Sequence, residues 1–113
     1  MEYYSEDETK ALREAFEQQV LYWPQVTSRR MFGCPAYLAD GRLFAFLVTE
    51  GVVITQLRLK ERQLLAEENP TEAFKAGERT IERWTQVTIT DPKTVGRIMA
   101  FVRKSYQTAL NIT

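Results

Sequence analysis

The chain has 113 residues, which suits one folded domain and leaves too little material for two hydrophobic cores. Fifteen Lys and Arg balance fifteen Asp and Glu, so no general field attracts nucleic acid or anionic lipid, and a polyanionic partner would need a local basic patch. Histidine is absent, which excludes Ser-His-Asp and Cys-His nucleophile pairs and removes the commonest transition-metal ligand.

The sequence also indicates where the chain works. Its longest apolar stretches, such as residues 43–48, are far shorter than the roughly 20 residues that cross a bilayer. The amino end is acidic where a secretory signal would carry positive charge and an apolar run, and the single Cys34 fits a reducing compartment. We therefore expect a cytoplasmic protein without a membrane partner.

A first helix is predicted to begin at Ser5 and to end near Pro24. Ser5 and Glu8 have the spacing of a capping box, in which each side chain bonds a free amide at the start of the helix. Apolar residues then recur at the spacing of one helical face: Leu12, Ala15, Phe16 and Val20.

Strands joined by tight turns are predicted next. Residues 29–32 indicate a short strand, residues 33–35 a bend or bulge, and residues 36–39 either its continuation or a second strand. Asp40-Gly41 is a strong hairpin signal because both residues tolerate positive φ. The chain should then return through residues 42–49, turn at 50–51 and form a β-branched strand over 52–57.

The remaining chain predicts two helices around one further strand. Residues 59–68 favour a short helix with Leu64 and Leu65 facing inward and Asn69-Pro70 as its stop. Residues 71–83 mix a helical turn around Phe74 with Gly77 and several charges, which predicts a mobile loop.

The residues that predict the last strand and the last helix are of different kinds. The strand is indicated by Trp84, Val87 and Ile89. Asp91-Pro92 supplies an N-cap followed by proline at the first helical position, which predicts a long final helix. The fold class is therefore α+β: an antiparallel sheet of about four to five strands with helices packed against it, in the order α-β-β-β(-β)-α-β-α, as a single domain over residues 1–113.

Cys34 is the one side chain that suggests an unusual nucleophile, because Arg29 and Arg30 lie near it in sequence and would lower the pKa of a thiol. The structural alternative is that Cys34, between Gly33 and Pro35, packs as a small buried apolar residue at a bend. One cysteine without histidine cannot form a structural zinc site, and isolated glycines form no phosphate loop, so neither a metal nor a cofactor is expected.

The alternative is that a local basic patch binds a partner. Its candidate members are Arg29, Arg30, Arg58, Lys60 and Arg62. Strand alternation places Arg29 and Arg30 on opposite faces, and ordinary solubility explains most of these charges. Trp84 suggests stacking on a base or a ligand, whereas its ordinary role in a domain of 13.2 kDa is that of a core anchor.

The central stretch has the order of motifs found in a known family. These are Arg30-Met31-Phe32-Gly33, Tyr37-Leu38, Asp40-Gly41 and Leu43-Phe44-Ala45, followed by Leu64-Leu65, Phe74, Trp84 and a terminal helix. The chain thereby resembles the TfoX N-terminal domain family. The resemblance implies a compact α+β fold and, since these 113 residues carry no second domain, a stand-alone version. Family members act in the regulation of bacterial competence when joined to a separate C-terminal domain, and the family lends no catalytic residues.

Three hypotheses about function follow. The first is a non-catalytic regulatory or interaction module that binds a protein, including another copy of itself, through a sheet edge or a helix face. The second is nucleic-acid binding through the basic residues named above. The third is a small enzyme or ligand sensor that uses Cys34 with Arg30 and a nearby aromatic side chain.

Overall fold

The computed structural model describes residues 2–111, which form an antiparallel sheet of six strands with three α-helices and one 3-10 helix. The elements in chain order are α1 Glu6–Val20, β1 Val26–Met31, β2 Cys34–Ala39, β3 Arg42–Val48, β4 Gly51–Ile54, α2 Leu59–Glu68, β5 Thr71–Ala76, β6 Arg79–Thr88, the 3-10 helix Pro92–Ile98 and α3 Met99–Leu110. Across the sheet the strands lie in the order β1-β2-β3-β4-β6-β5. The predicted α+β class is confirmed.

Tight turns set the first part of this order. Phe32 and Gly33 have φ of 55° and 76°, and Asp40 and Gly41 have 50° and 81°, so both pairs form two-residue turns with positive φ. The first turn lies earlier than the bend predicted at residues 33–35, because Cys34 already pairs with Met31. Residues 36–39 thus belong to a second strand, the first of the two alternatives being wrong.

The mobile loop predicted over residues 71–83 is instead the hairpin of β5 and β6, so that prediction is wrong. Gly77, with φ of 65°, begins its two-residue turn, and β6 extends the sheet by pairing with β4. The charges that suggested a loop lie on exposed positions of a hairpin at the sheet edge, where charge is compatible with a strand. Trp84 lies within β6, as predicted for its strand.

Helix α2 has the predicted bounds, but only one of its two adjacent leucines faces the core. Leu65 is fully buried, whereas 46% of the Leu64 surface is exposed. Consecutive residues of an α-helix point about 100° apart, so Leu64 and Leu65 cannot both face the core. The prediction for Leu64 is wrong.

The starts of the first and last helices differ in detail from the predicted caps. Ser5 lies at the N-cap of α1 without a side-chain bond to the helix, and its N–H donates to Thr49 Oγ1 at 2.9 Å, so the predicted capping box is absent. Asp91 accepts a bond from Lys93 N–H at 3.0 Å, as an N-cap should. The chain then runs as a 3-10 helix before α3, a common form for the first turns of a helix.

Helix α3 is attached to the sheet through Ser105 and Tyr106. Buried Ser105 Oγ donates to the Phe44 carbonyl at 2.7 Å and accepts from Gln56 N–H at 3.0 Å. The Tyr106 ring lies 5.5 Å from the ring of Phe44. Within residues 2–111, no helix has the length and apolar character to cross a membrane.

Leu65→Ala should lower the free energy of unfolding by about 2–5 kcal/mol, because it removes a fully buried side chain and leaves a cavity. The adjacent Leu64→Ala is the matched control and should change it by less than about 1 kcal/mol. Urea unfolding followed by circular dichroism measures both. Equal losses for the two variants would contradict the assignment of the buried face.

Candidate functional site

The register of β1 and β2 separates the two arginines of the predicted site. Arg30 lies opposite Pro35 and Arg29 opposite Ala36, so their side chains leave opposite faces of the sheet, as predicted. Both arginines are exposed, and neither forms an ion pair within residues 2–111.

The other three basic candidates lie elsewhere. Arg58, Lys60 and Arg62 lie at the start of α2. The Arg62 guanidinium donates to the Leu57 carbonyl at 2.8 Å. The strand pairing places Arg29 of β1 in the same row across the sheet as Val53 of β4. β4 lies three strand spacings from β1, which is roughly 14 Å. The chain then continues away from that row before α2 begins. The structure therefore brings Arg29 and Arg30 to one edge and leaves the α2 group apart, and nucleic-acid binding stays a prediction.

Cys34 and Trp84 lie in packed positions. Cys34 is fully buried, and burial raises the pKa of its thiol to about 11, although nearby Arg30 acts in the opposite direction. Trp84 is half-buried between the rings of Phe46 at 5.4 Å and Phe74 at 6.0 Å. Both environments agree with the structural interpretations of these residues.

A chain of charged hydrogen bonds attaches α1 to the sheet. Arg13 donates from Nε and Nη2 to Glu6 at 3.0 and 2.8 Å, and from Nη1 to Glu17 at 3.0 Å. Tyr37 of β2 donates to the other oxygen of Glu17 at 2.8 Å. Hydrogen bonds from Arg13 and from Tyr4 lower the pKa of Glu6 to about 2. This arrangement fixes the position of α1 beside β1 and β2.

The segment before α1 is held by the β3–β4 turn and by β5–β6. Thr49 N–H donates to the Tyr3 carbonyl at 3.0 Å, and Gly77 N–H donates to the Tyr3 hydroxyl at 2.9 Å. The neighbouring Tyr4 is buried. These bonds place the amino-terminal segment next to the β1–β2 turn.

Two clefts follow one another beside α1 and the β1–β2 turn, and a third lies on the outer side of α1. A cleft of about 700 Å³ lies between the amino-terminal segment and the β1–β2 turn, and shares Glu6 and Arg30 with a second cleft of about 370 Å³ that also contains Ser28. The second cleft shares Arg13 and Glu17 with a third of about 340 Å³. The third cleft is lined by Arg13, Glu14, Glu17, Gln18, Leu21 and Tyr22. We call the first two clefts, which share Glu6 and Arg30, the α1–β1 groove.

An exposed aromatic side chain lies at one end of the groove and another beside the third cleft. Phe32, in the β1–β2 turn, is 62% exposed, and Tyr22, just after α1, is 84% exposed. Aromatic side chains are enriched at protein interfaces relative to the rest of the surface.

The backbone of β1 has unpaired groups that point outward along the edge. In a two-residue hairpin the residues that flank the turn bond each other, so Met31, Arg29 and Thr27 bond β2. Ser28 and Arg30 alternate with them and direct their N–H and C=O groups away from β2. Val26 belongs to the same set as Ser28 and Arg30, because its N–H does not bond β2. That N–H donates to the Trp23 carbonyl instead.

Sequence reasoning found only part of this groove. The sequence patterns indicate Arg29 and Arg30 but not Ser28, Arg13 or Glu17. The spacing of Arg13 and Glu17 does indicate an i,i+4 ion pair. No sequence pattern indicates the bond from Tyr37 to Glu17, which joins residues 20 positions apart.

Among the described residues, no group of three or more Cys, Asp or Glu is arranged to hold a metal ion. Comparison of the chain with protein-family models, with curated proteins and with solved structures finds no match. The candidate site therefore depends on the geometry of the groove.

Native Cys34 should resist alkylation by iodoacetamide at neutral pH and react fully after unfolding, because its thiol is buried and its pKa is raised. Mass spectrometry measures the modified fraction over time. Thr90→Cys in a Cys34→Ala background supplies an exposed control thiol. Equal native rates for the two thiols would contradict the buried position.

Acid should lower the free energy of unfolding by protonating Glu6. Its folded pKa of about 2 lies below the ordinary 4.5, so its stabilising effect is complete above pH 4.5 and is lost as the pH falls from 4.5 through 2. Glu6→Gln should flatten the dependence of the melting temperature on pH in this window. Glu8→Gln is the control in the same helical turn, and an identical effect of both variants would contradict the role of the Arg13 pair.

Proposed function

We propose that this chain is a non-catalytic regulatory interaction module of the bacterial cytoplasm, similar to the TfoX N-terminal domain. It joins an extended segment of another polypeptide to the sheet at β1. The observation that carries the proposal is the free edge of β1 beside the α1–β1 groove.

An unpaired strand edge binds extended chains by continuing the ladder of the sheet. β1 supplies outward backbone groups at Ser28 and Arg30, and its register with β2 is uninterrupted over six pairs. A bound strand would therefore gain regular main-chain hydrogen bonds, while the groove contacts its side chains. The exposed Phe32 supplies an apolar contact at the β1–β2 turn end of the groove.

The opposite edge of the sheet is less suited to this role. The pairing of β5 with β6 shifts between Ala73 and Phe74. The unpaired residues of this shift, 82–84, lie in β6, so the ladder beside the edge strand β5 is interrupted and that edge is less regular than β1. The cleft beside β5 is also smaller, at about 260 Å³.

Selection of linear peptides tests the proposal. The protein is immobilised at low density, so that two copies cannot meet, and displayed peptides are selected on it. Ser28→Pro should weaken the selected peptides about tenfold, because proline removes an outward N–H that does not bond β2 and adds bulk at the edge. Fluorescence anisotropy measures the affinities.

Lys75→Pro is the matched control on the β5 edge. Lys75 alternates with Phe74 and Ala76, so its N–H also points outward, and this variant should leave peptide affinity within about twofold. Thermal unfolding confirms that both variants are folded. If no peptide is selected, or if Lys75→Pro weakens binding as much as Ser28→Pro, the proposed binding edge is wrong.

A further inference from the structure

We infer that the extended segment joined to β1 is an acidic peptide, in which two consecutive Asp or Glu side chains face Arg29 and Arg30. This inference rests on the proposed function, because it uses the same strand edge. It adds the chemical class of the partner and the position of its charges.

The free backbone groups of β1 fix where a bound segment lies. Ser28 and Arg30 direct their N–H and C=O groups away from β2. Val26 belongs to the same set, but its N–H already donates to the Trp23 carbonyl at 3.3 Å. The main-chain bonds to a partner are therefore concentrated at Ser28 and Arg30. Arg29, which stands between them, lies at the centre of the contact.

Both arginines are open to a partner. Arg29 and Arg30 are exposed and make no ion pair with any residue between 2 and 111. In the same range, Arg30 donates one hydrogen bond, from Nη1 to the Gly33 carbonyl at 2.9 Å, so most of its five N–H donors are available. β1 contains no acidic residue, so no carboxylate on the strand offsets these two adjacent positive charges.

The carboxylates of the groove have other positions or other partners. Arg13 donates to both Glu6 and Glu17, at 2.8 and 3.0 Å. Glu2 and Asp7 are exposed and line the first cleft, which opens at the β1–β2 turn. An acidic side chain of the partner that reached this cleft would meet like charge, which opposes binding. We therefore expect the acidic residues of the partner to face the two arginines and not to continue toward the turn.

Strand alternation explains why the two acidic residues are consecutive. The positions that face Arg29 and Arg30 across a strand pair are neighbours in the partner chain, and their side chains leave opposite faces of the sheet. Opposite charges in directly facing positions stabilise a strand pair, and like charges destabilise it. A guanidinium can also bond a carboxylate through two parallel N–H donors. A single acidic residue, or two at alternate positions, would satisfy only one arginine.

The composition of the peptides selected on the protein tests the inference. Sequencing of the selected pool should show adjacent acidic pairs several-fold more often than the unselected library does. Replacing either acidic residue of a selected peptide by its amide should raise the dissociation constant about two- to fivefold, because one facing charge pair is lost. Fluorescence anisotropy measures this change.

A charge reversal gives the sharper test. Arg29→Glu and Arg30→Glu should each weaken the selected peptides about three- to tenfold, because one attractive pair becomes repulsive. A selection repeated on Arg30→Glu should replace one of the two acidic residues by Lys or Arg. Lys75→Glu is the matched control, since it makes the same change in net charge at an exposed position of β5 and should leave affinity within about twofold. Thermal unfolding confirms that the variants are folded.

The two proposals fail in different ways. If no peptide is selected, the proposed function falls and this inference falls with it. Peptides that bind in a manner sensitive to Ser28→Pro, but carry no excess of adjacent acidic residues, would reject the inference alone and support the proposed edge. Equal weakening by Lys75→Glu and Arg30→Glu would show that net charge acts without facing pairs, which also rejects the inference.

Discussion

The position of Arg13 between Glu6 and Glu17 is the constraint on which the candidate site depends. Its guanidinium fixes both carboxylates on one side of α1, and Glu17 in turn accepts the hydroxyl of Tyr37 from β2. The helix is thereby held beside the sheet edge at a defined distance. Charge-assisted bonds with paired geometry are directional, so they set the width of the groove where apolar packing alone would leave it adjustable.

The second constraint is the length of the β1–β2 turn. A two-residue turn decides which members of β1 bond β2 and which point outward. The same alternation places Arg30 on the face of the groove and Arg29 on the opposite face. Backbone pairing and charge placement at this edge are therefore consequences of a single local geometry.

Regulatory use of such an edge is physically reasonable because its strength is adjustable. Strand addition combines weak main-chain bonds with a few side-chain contacts, and charged edge residues such as Arg29 oppose indiscriminate pairing. A partner must then supply both a compatible register and compatible charge.

Local signals in the sequence were sufficient where one residue dictates the backbone. Asp40-Gly41 predicted its hairpin, residues 59–68 predicted α2, and Asp91 predicted its cap, because φ preference and capping act over a few residues. The charges of residues 71–83 predict a loop where the structure has the β5–β6 hairpin, because such charges suit a strand only at a sheet edge and distant pairing defines that edge.

The sequence by itself determined the α+β class, most of the elements and the scarcity of proton-transfer groups. The tertiary structure alone decided that Leu65 rather than Leu64 is buried, that Arg30 is separated from Arg58 and Arg62, and that Tyr37 meets Glu17. The physical reason is range. Turns and helix boundaries depend on neighbours along the chain, whereas a groove exists only after residues far apart in sequence have been brought together by the sheet.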